Sequence, residues 1–200
     1  FYTIQLTQGA AMSDMSAEEQ VMQLWQQALS GRSRKERQSA AHAFAVASVS
    51  VPEKVAAYAD VLVSAVGRPE AQTRWESLDA LAHIAPYAPE AVAEAFTSAE
   101  DCLFEEESGL VRLNAFLYFV SLGMCGPEWS NKAWPLMDEA IQCMHGDEEY
   151  PEMLQALVEF VQVDIDPAVR QAIIDRLAFD AQSGKGEASM LARKVIQAAC

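Results

Sequence analysis

Two hundred residues with 51% hydrophobic content, eight prolines and nine glycines suit one domain or one short repeat array and lack the polar bias of disorder. Twenty-nine acidic residues against fourteen basic ones leave a formal charge of −15, which argues against a protein whose main work is gripping phosphate backbones. The longest purely apolar runs, such as AFLYFV at 115–120, fall far short of the roughly 18 to 20 residues that a membrane-spanning helix requires.

Residues 1–14 read as a tag remnant or loose tail, with Met12 and Met15 ahead of the first helical pattern. Helices are then expected in pairs, with breakers between them where helical hairpins need turns. Ser16 and Glu19 have capping-box spacing and open a helix to Leu29; after SGRS a second covers about 33–47. Pro52 opens a helix to Val66, and Gly67, Arg68 and Pro69 separate it from the helix containing TRWESLDALAHIA. Pro86 and Pro89 precede a helix to about Phe104, followed by GLVRLNAFLYFVSLG. The fourth pair lies near 128–144 and 151–163, split by HGDEEYP, and the fifth near 167–181 and 186–199, split by SGKG. Acids in HGDEEYP sit where the following helix dipole favours them. No alternating pattern of strand type competes.

A register runs through the second helix of each pair. Arg37, Arg74 and Arg112 recur at intervals of 37 and 38 residues. Three positions later stand Ala40, Ser77 and Ala115; seven later stand Phe44, Leu81 and Phe119. Met153, Ala156, Leu157 and Phe160 repeat the pattern without the arginine. Self-similarity at this period marks stacked helical repeats, each burying its apolar face only against its neighbours. The expected fold is all-α, an α-α superhelix of about five hairpins spanning 15–200, with repeats near 16–48, 52–85, 87–123, 127–164 and 167–200.

The Val111, Arg112, Ala115 sequence resembles the signature of the HEAT family of α-solenoids; Thr73, Arg74, Ser77 and Glu36, Arg37, Ala40 follow it more loosely, and Glu152, Met153, Ala156 more loosely still. The resemblance implies a binding surface on the second helices. It also implies an acid about six residues before each arginine, forming a ladder between repeats. Those positions hold Gly31, Arg68 and Glu106, so only Glu106 is suited to the role and a continuous ladder is not expected.

Offsets 0, +3, +4 and +7 from the arginine register share the core face, since a helix turns once every 3.6 residues. Offsets +1 and +5 form a flank about 100° to 140° round the helix. They place Gln38 and His42, Trp75 and Asp79, Leu113 and Leu117, and Leu154 and Val158 in one row. Such a row either packs on the adjacent repeat or faces a groove. As a groove it would offer Trp75, Leu113, Leu117, Tyr118 and Leu154 as apolar anchors, with Glu76, Asp79 and Glu159 as rim acids selecting a partner with basic side chains. Trp129 and Trp134 belong to a first helix and read as core or outer surface.

Trp75 and Asp79, four residues apart, with Arg112 in the next repeat, are similar to the aromatic, Asp and Arg set of the HEAT-like alkylpurine DNA glycosylases. That resemblance supplies the alternative, a nucleic-acid-acting protein with those three as catalytic candidates, although its basic groove conflicts with the charge here. His42, His83 and His145 stand too far apart to suggest a metal site, and no Gly-rich phosphate loop, Gly-x-Ser-x-Gly elbow or His-Glu-x-x-His motif is present. Cys102, Cys125, Cys143 and Cys200 form no Cys-x-x-Cys pair, and no basic-then-apolar leader opens the chain. The expectation is therefore a cytoplasmic, non-catalytic module without metal or cofactor, binding a protein or peptide, and able to use the apolar row as a homodimer seam.

Overall fold

The computed structural model describes residues 16–104 and 106–200. The expected tail at 1–14, together with Met15 and Glu105, lies outside the described residues. The chain forms α1 (Ala17–Ser30), α2 (Arg34–Ser50), α3 (Pro52–Val55), a 3-10 turn (Ala56–Tyr58), α4 (Ala59–Val66), α5 (Ala71–Ile84), α6 (Pro89–Ala93) and α7 (Phe96–Phe104). It continues with α8 (Gly109–Gly123), α9 (Pro127–Cys143), α10 (Tyr150–Phe160), α11 (Pro167–Ser183) and α12 (Glu187–Ala199). No strand occurs among the described residues, and the architecture is a helical repeat solenoid. None of these helices is long and apolar enough to cross a membrane.

The helix starts follow their chemistry. The Ser16 hydroxyl accepts from the Glu19 N–H at 3.2 Å while the Glu19 carboxylate accepts from the Ser16 N–H at 2.8 Å, closing the capping box. Pro52, Pro89, Pro127 and Pro167 each occupy a first helical position, where the missing N–H costs nothing. Two expected single helices are broken instead. Residues 52–66 tighten into a 3-10 turn at Ala56–Tyr58, and the 87–104 helix is interrupted between Ala93 and Phe96. Each break seats an aromatic ring: Tyr58 lies 5.5 Å from Phe44, and Phe96 lies 5.0 Å from Phe119. Both phenylalanines are the +7 residues of their repeats, so the interruptions serve the core.

One continuous apolar core runs the length of the array. The repeating face of the second helices supplies its centre, with Phe44, Leu81, Phe119 and Phe160 all fully buried. The second helices stack in series, α2 on α5 on α8 on α10 on α12, and pack on one another more closely than the first helices do. The hydroxyls of Thr73 and Ser77 are buried in this stack without a hydrogen-bond partner among the described residues.

The ladder joins the first four repeats without a gap, which corrects the sequence expectation, and it ends where Met153 replaces the arginine. Arg37 donates to the Glu70 carboxylate, with Nε at 3.2 Å from Oε2; Arg74 pairs with Glu106; and Arg112 reaches Glu149 at 3.1 Å. Each acid precedes the next repeat's register position by four residues (Glu70, Glu149) or six (Glu106), and serves the arginine of the repeat before it. The position six before each arginine also gives that arginine a backbone carbonyl, and of the three only Glu106 contributes its side chain as well. Arg37 donates to Gly31 O at 2.9 Å, Arg74 to Arg68 O at 2.9 Å and Arg112 to Glu106 O at 3.1 Å. A carbonyl is present whatever the residue, so glycine and arginine serve there equally well.

Arg37 and Glu70 are both buried, and the Arg37 guanidinium holds the Glu70 carboxyl below the usual glutamate range. A depressed carboxyl contributes stability that is complete above its unfolded pKa, about 4.3, and is lost as pH falls through the folded value. The urea midpoint of the native chain should therefore fall more steeply below about pH 4.3 than that of Glu70→Gln, whose midpoint is lower at neutral pH. Parallel curves would show that the rung carries no energy.

Candidate interaction surface

Part of the expected row stays partly accessible on α5 and α8, although Trp75 and Leu113 also pack against the core. Trp75, Leu113 and Leu117 are half-buried side chains at the open side of α5 and α8. Asp79 is half-buried beside them, and burial raises its carboxyl pKa, with His83 opposing: the His83 Nδ1 lies 3.6 Å from that carboxylate and 2.8 Å from the Asp79 carbonyl. Further along, the row closes. Leu154 and Val158 are buried, because α12 packs tightly against α10. The same offsets thus pack between repeats at the fourth unit and stay accessible at the second and third.

Three assignments made from the sequence need correction in position. Tyr118 is fully buried and its hydroxyl donates to Val92 O at 2.9 Å, so it is a core residue tied to α6 rather than a surface anchor. Glu76 is 2% exposed, with His42 Nδ1 at 2.9 Å and Gln72 Nε2 at 3.2 Å from its carboxylate; it is an internal polar group, not a rim acid. Arg112 is spent on Glu149 and on the carbonyls of Glu106 and Glu107, so its guanidinium is not free to join Trp75 and Asp79. Glu159 does lie exposed on α10.

Within α5, α8 and α10 themselves charge is one-sided, although Lys194 of α12 reaches Gln155 of α10 at 3.3 Å. Apart from His83, the basic residues of α5, α8 and α10 are Arg74 and Arg112, and both are paired in the ladder. The acids Asp79, Glu152 and Glu159 on the same helices have no lysine or arginine partner among the described residues.

Residues that the sequence reading passed over complete the surface. Leu110, two positions before Arg112, is 57% exposed. It lies with Leu113 in a cavity of about 410 Å³ between α8 and the start of α10, bordered by Glu148, Glu149 and Glu152. An exposed leucine two places before the register arginine was the available signal, but an offset of −2 lay outside the row followed. Elsewhere, Asp180 accepts from the Tyr150 hydroxyl at 2.8 Å and faces His145 Nε2 at 3.2 Å, and Arg176 grips Asp138 at 2.5 and 2.8 Å. These contacts tie the fourth and fifth hairpins together. Burial pushes the Cys102 thiol up to about 11, which leaves little thiolate at neutral pH. No cluster of three or more metal-ligating side chains occurs among the described residues.

No protein-family model matches the chain, and no curated protein does. Solved structures do. A designed armadillo repeat protein in complex with a (KR)4 peptide superposes with a TM-score of 0.71 at 16% identity, over 88% of this chain and 80% of that one. A computationally designed armadillo repeat protein for modular peptide recognition gives a TM-score of 0.65 at 14% identity, over 87% and 80%. An engineered protein gives 0.66 at 17% identity, over 88% of this chain but 47% of its own length. At these identities the likeness is one of fold.

Proposed function

We propose that this chain is a non-catalytic, HEAT-like scaffold that binds a peptide or an extended protein segment along the inner face of its second helices, with a preference for basic side chains. The observation that carries this reading is the open row of Trp75, Leu113 and Leu117, bordered by Asp79, Glu152 and Glu159 on helices whose two arginines are already paired. Partly desolvated aromatic and aliphatic side chains supply interface energy, and surrounding charges of one sign select the partner. A preformed rigid row also reduces the ordering cost of binding. The (KR)4 ligand of one structural neighbour is consistent with this chemistry in a similar fold. A nucleic-acid groove is poorly served by helices whose two arginines are both paired.

Peptides selected from a random display library on the immobilised full chain should be enriched in lysine and arginine. Their dissociation constants should rise about tenfold or more with Trp75→Ala or Leu113→Ala, and stay within about twofold with Lys132→Ala on α9. Circular dichroism would confirm that each variant is folded. Selected peptides that bind all three variants like the parent would refute the assignment to this face.

A further inference from the structure

The junction of α8 with the start of α10 has the makings of a subsite for one kind of side chain. Its floor is apolar: Leu110, more than half exposed, and Leu113. Its border is acidic, and the three carboxylates are not equivalent. Glu149 is committed to Arg112 and sits so close to the first residue of α8 that a Cβ on Gly109 would lie 1.6 Å from Oε1. Glycine at 109 is thus what lets this carboxylate reach its rung. Glu148 and Glu152 are exposed and have no cationic partner among the described residues. A cavity of about 410 Å³ with an apolar floor and two uncompensated carboxylates at its rim is complementary to an amphipathic cation. Lysine and arginine have that form: an aliphatic stem that gains by covering leucine, and a charged end that stays at the wet rim.

Resting on the peptide-binding reading above, we infer that the cavity between α8 and α10 receives a lysine or arginine side chain of the bound segment, its stem on Leu110 and Leu113 and its charge between Glu148 and Glu152. The neutralised Glu149 holds the wall in place and takes no part in selection. Because the rim is exposed, the attraction falls with added salt, while the contact of the stem does not.

The test uses the isotopically labelled full chain titrated with two peptides, Gly-Ser-Leu-Arg-Leu-Ser-Gly and the same sequence with Gln for Arg, followed by amide chemical shifts. The Arg peptide should shift Leu110, Leu113 and Glu152 and bind at least about tenfold more tightly than the Gln peptide. The double variant Glu148→Gln/Glu152→Gln should remove that difference and leave the Gln peptide within about twofold, whereas Leu110→Ser should weaken both. All three residues are exposed, so the fold is not at risk. An Arg peptide that binds the double variant as well as the parent overturns the subsite. Shifts confined to Trp75 and Leu117 would overturn it while leaving the peptide-binding reading intact. If neither these peptides nor any library peptide binds, both fall.

Discussion

Truncating Phe119 to alanine is expected to cost about 3–5 kcal/mol of stability, the range for a fully buried phenylalanine whose cavity cannot collapse. Phe119 has no exposed surface and is held edge-on by two rings, Phe96 at 5.0 Å and Tyr118 at 5.1 Å. Helix α8 carries it in the middle of the stack, between α5 and α10, so neither neighbour can move in to fill the space without leaving its own contacts. Aromatic pairs of this geometry add about 0.5–1.5 kcal/mol beyond the area they bury. Phe119→Leu keeps most of the volume and should cost clearly less. The consequence reaches beyond the global midpoint, because a solenoid is held by nearest-neighbour interfaces and a weakened third repeat uncouples the two ends. Equilibrium urea unfolding followed by hydrogen exchange should show lost protection first in α8. A cost below about 1 kcal/mol would mean that the ring is not the keystone its burial implies.

The helices and their register were legible in the sequence because the physics behind them is local. Proline at a first turn, serine at a cap and apolar residues at offsets 0, +3, +4 and +7 act within one helix, so the positions of Phe44, Leu81, Phe119 and Phe160 could be read directly. The ladder was not legible for the opposite reason. Its acids belong to the following repeat, stand at −4 as well as −6, and the −6 position acts through its carbonyl, which no side chain reports. Tyr118 and Glu76 show the limit of a helical wheel. They lie at offsets +6 and +2, about 240° and 200° round the helix and outside both the core face and the flank, where a neighbouring helix decides exposure. Tyr118 meets Val92 of α6, and Glu76 is closed over by His42 of α2. Leu154 and Val158 differ from Leu113 and Leu117 only in what stands beside them, since α12 presses against the fourth unit.

Gly123 provides the second large effect, and its sign runs against the usual rule. Alanine in place of a helical glycine commonly stabilises by about 1 kcal/mol through helix propensity. At the last residue of α8, however, a Cβ would lie 2.8 Å from Phe160 Cε2, 3.2 Å from its Cζ and 3.5 Å from the Ala133 Cβ. Phe160 is the +7 residue of the fourth repeat and is fully buried, so the ring has no vacant space to enter. Overpacking of this kind costs about 1–3 kcal/mol, which cancels or exceeds the propensity gain for Gly123→Ala and dominates for Gly123→Val. Thermal and urea unfolding should therefore place Gly123→Val well below the parent and Gly123→Ala at or below it; a stabilised alanine variant would show that Phe160 yields freely. The effect should also reach the surface. Gly109 and Gly123 stand at opposite ends of α8, one making room for Glu149 and the other for Phe160, and together they let α10 lie against that helix. Forcing α10 outward at Phe160 moves Glu152 away from Leu110 and Leu113, so Gly123→Val should weaken the Arg-containing peptide while leaving Trp75 and α5 undisturbed.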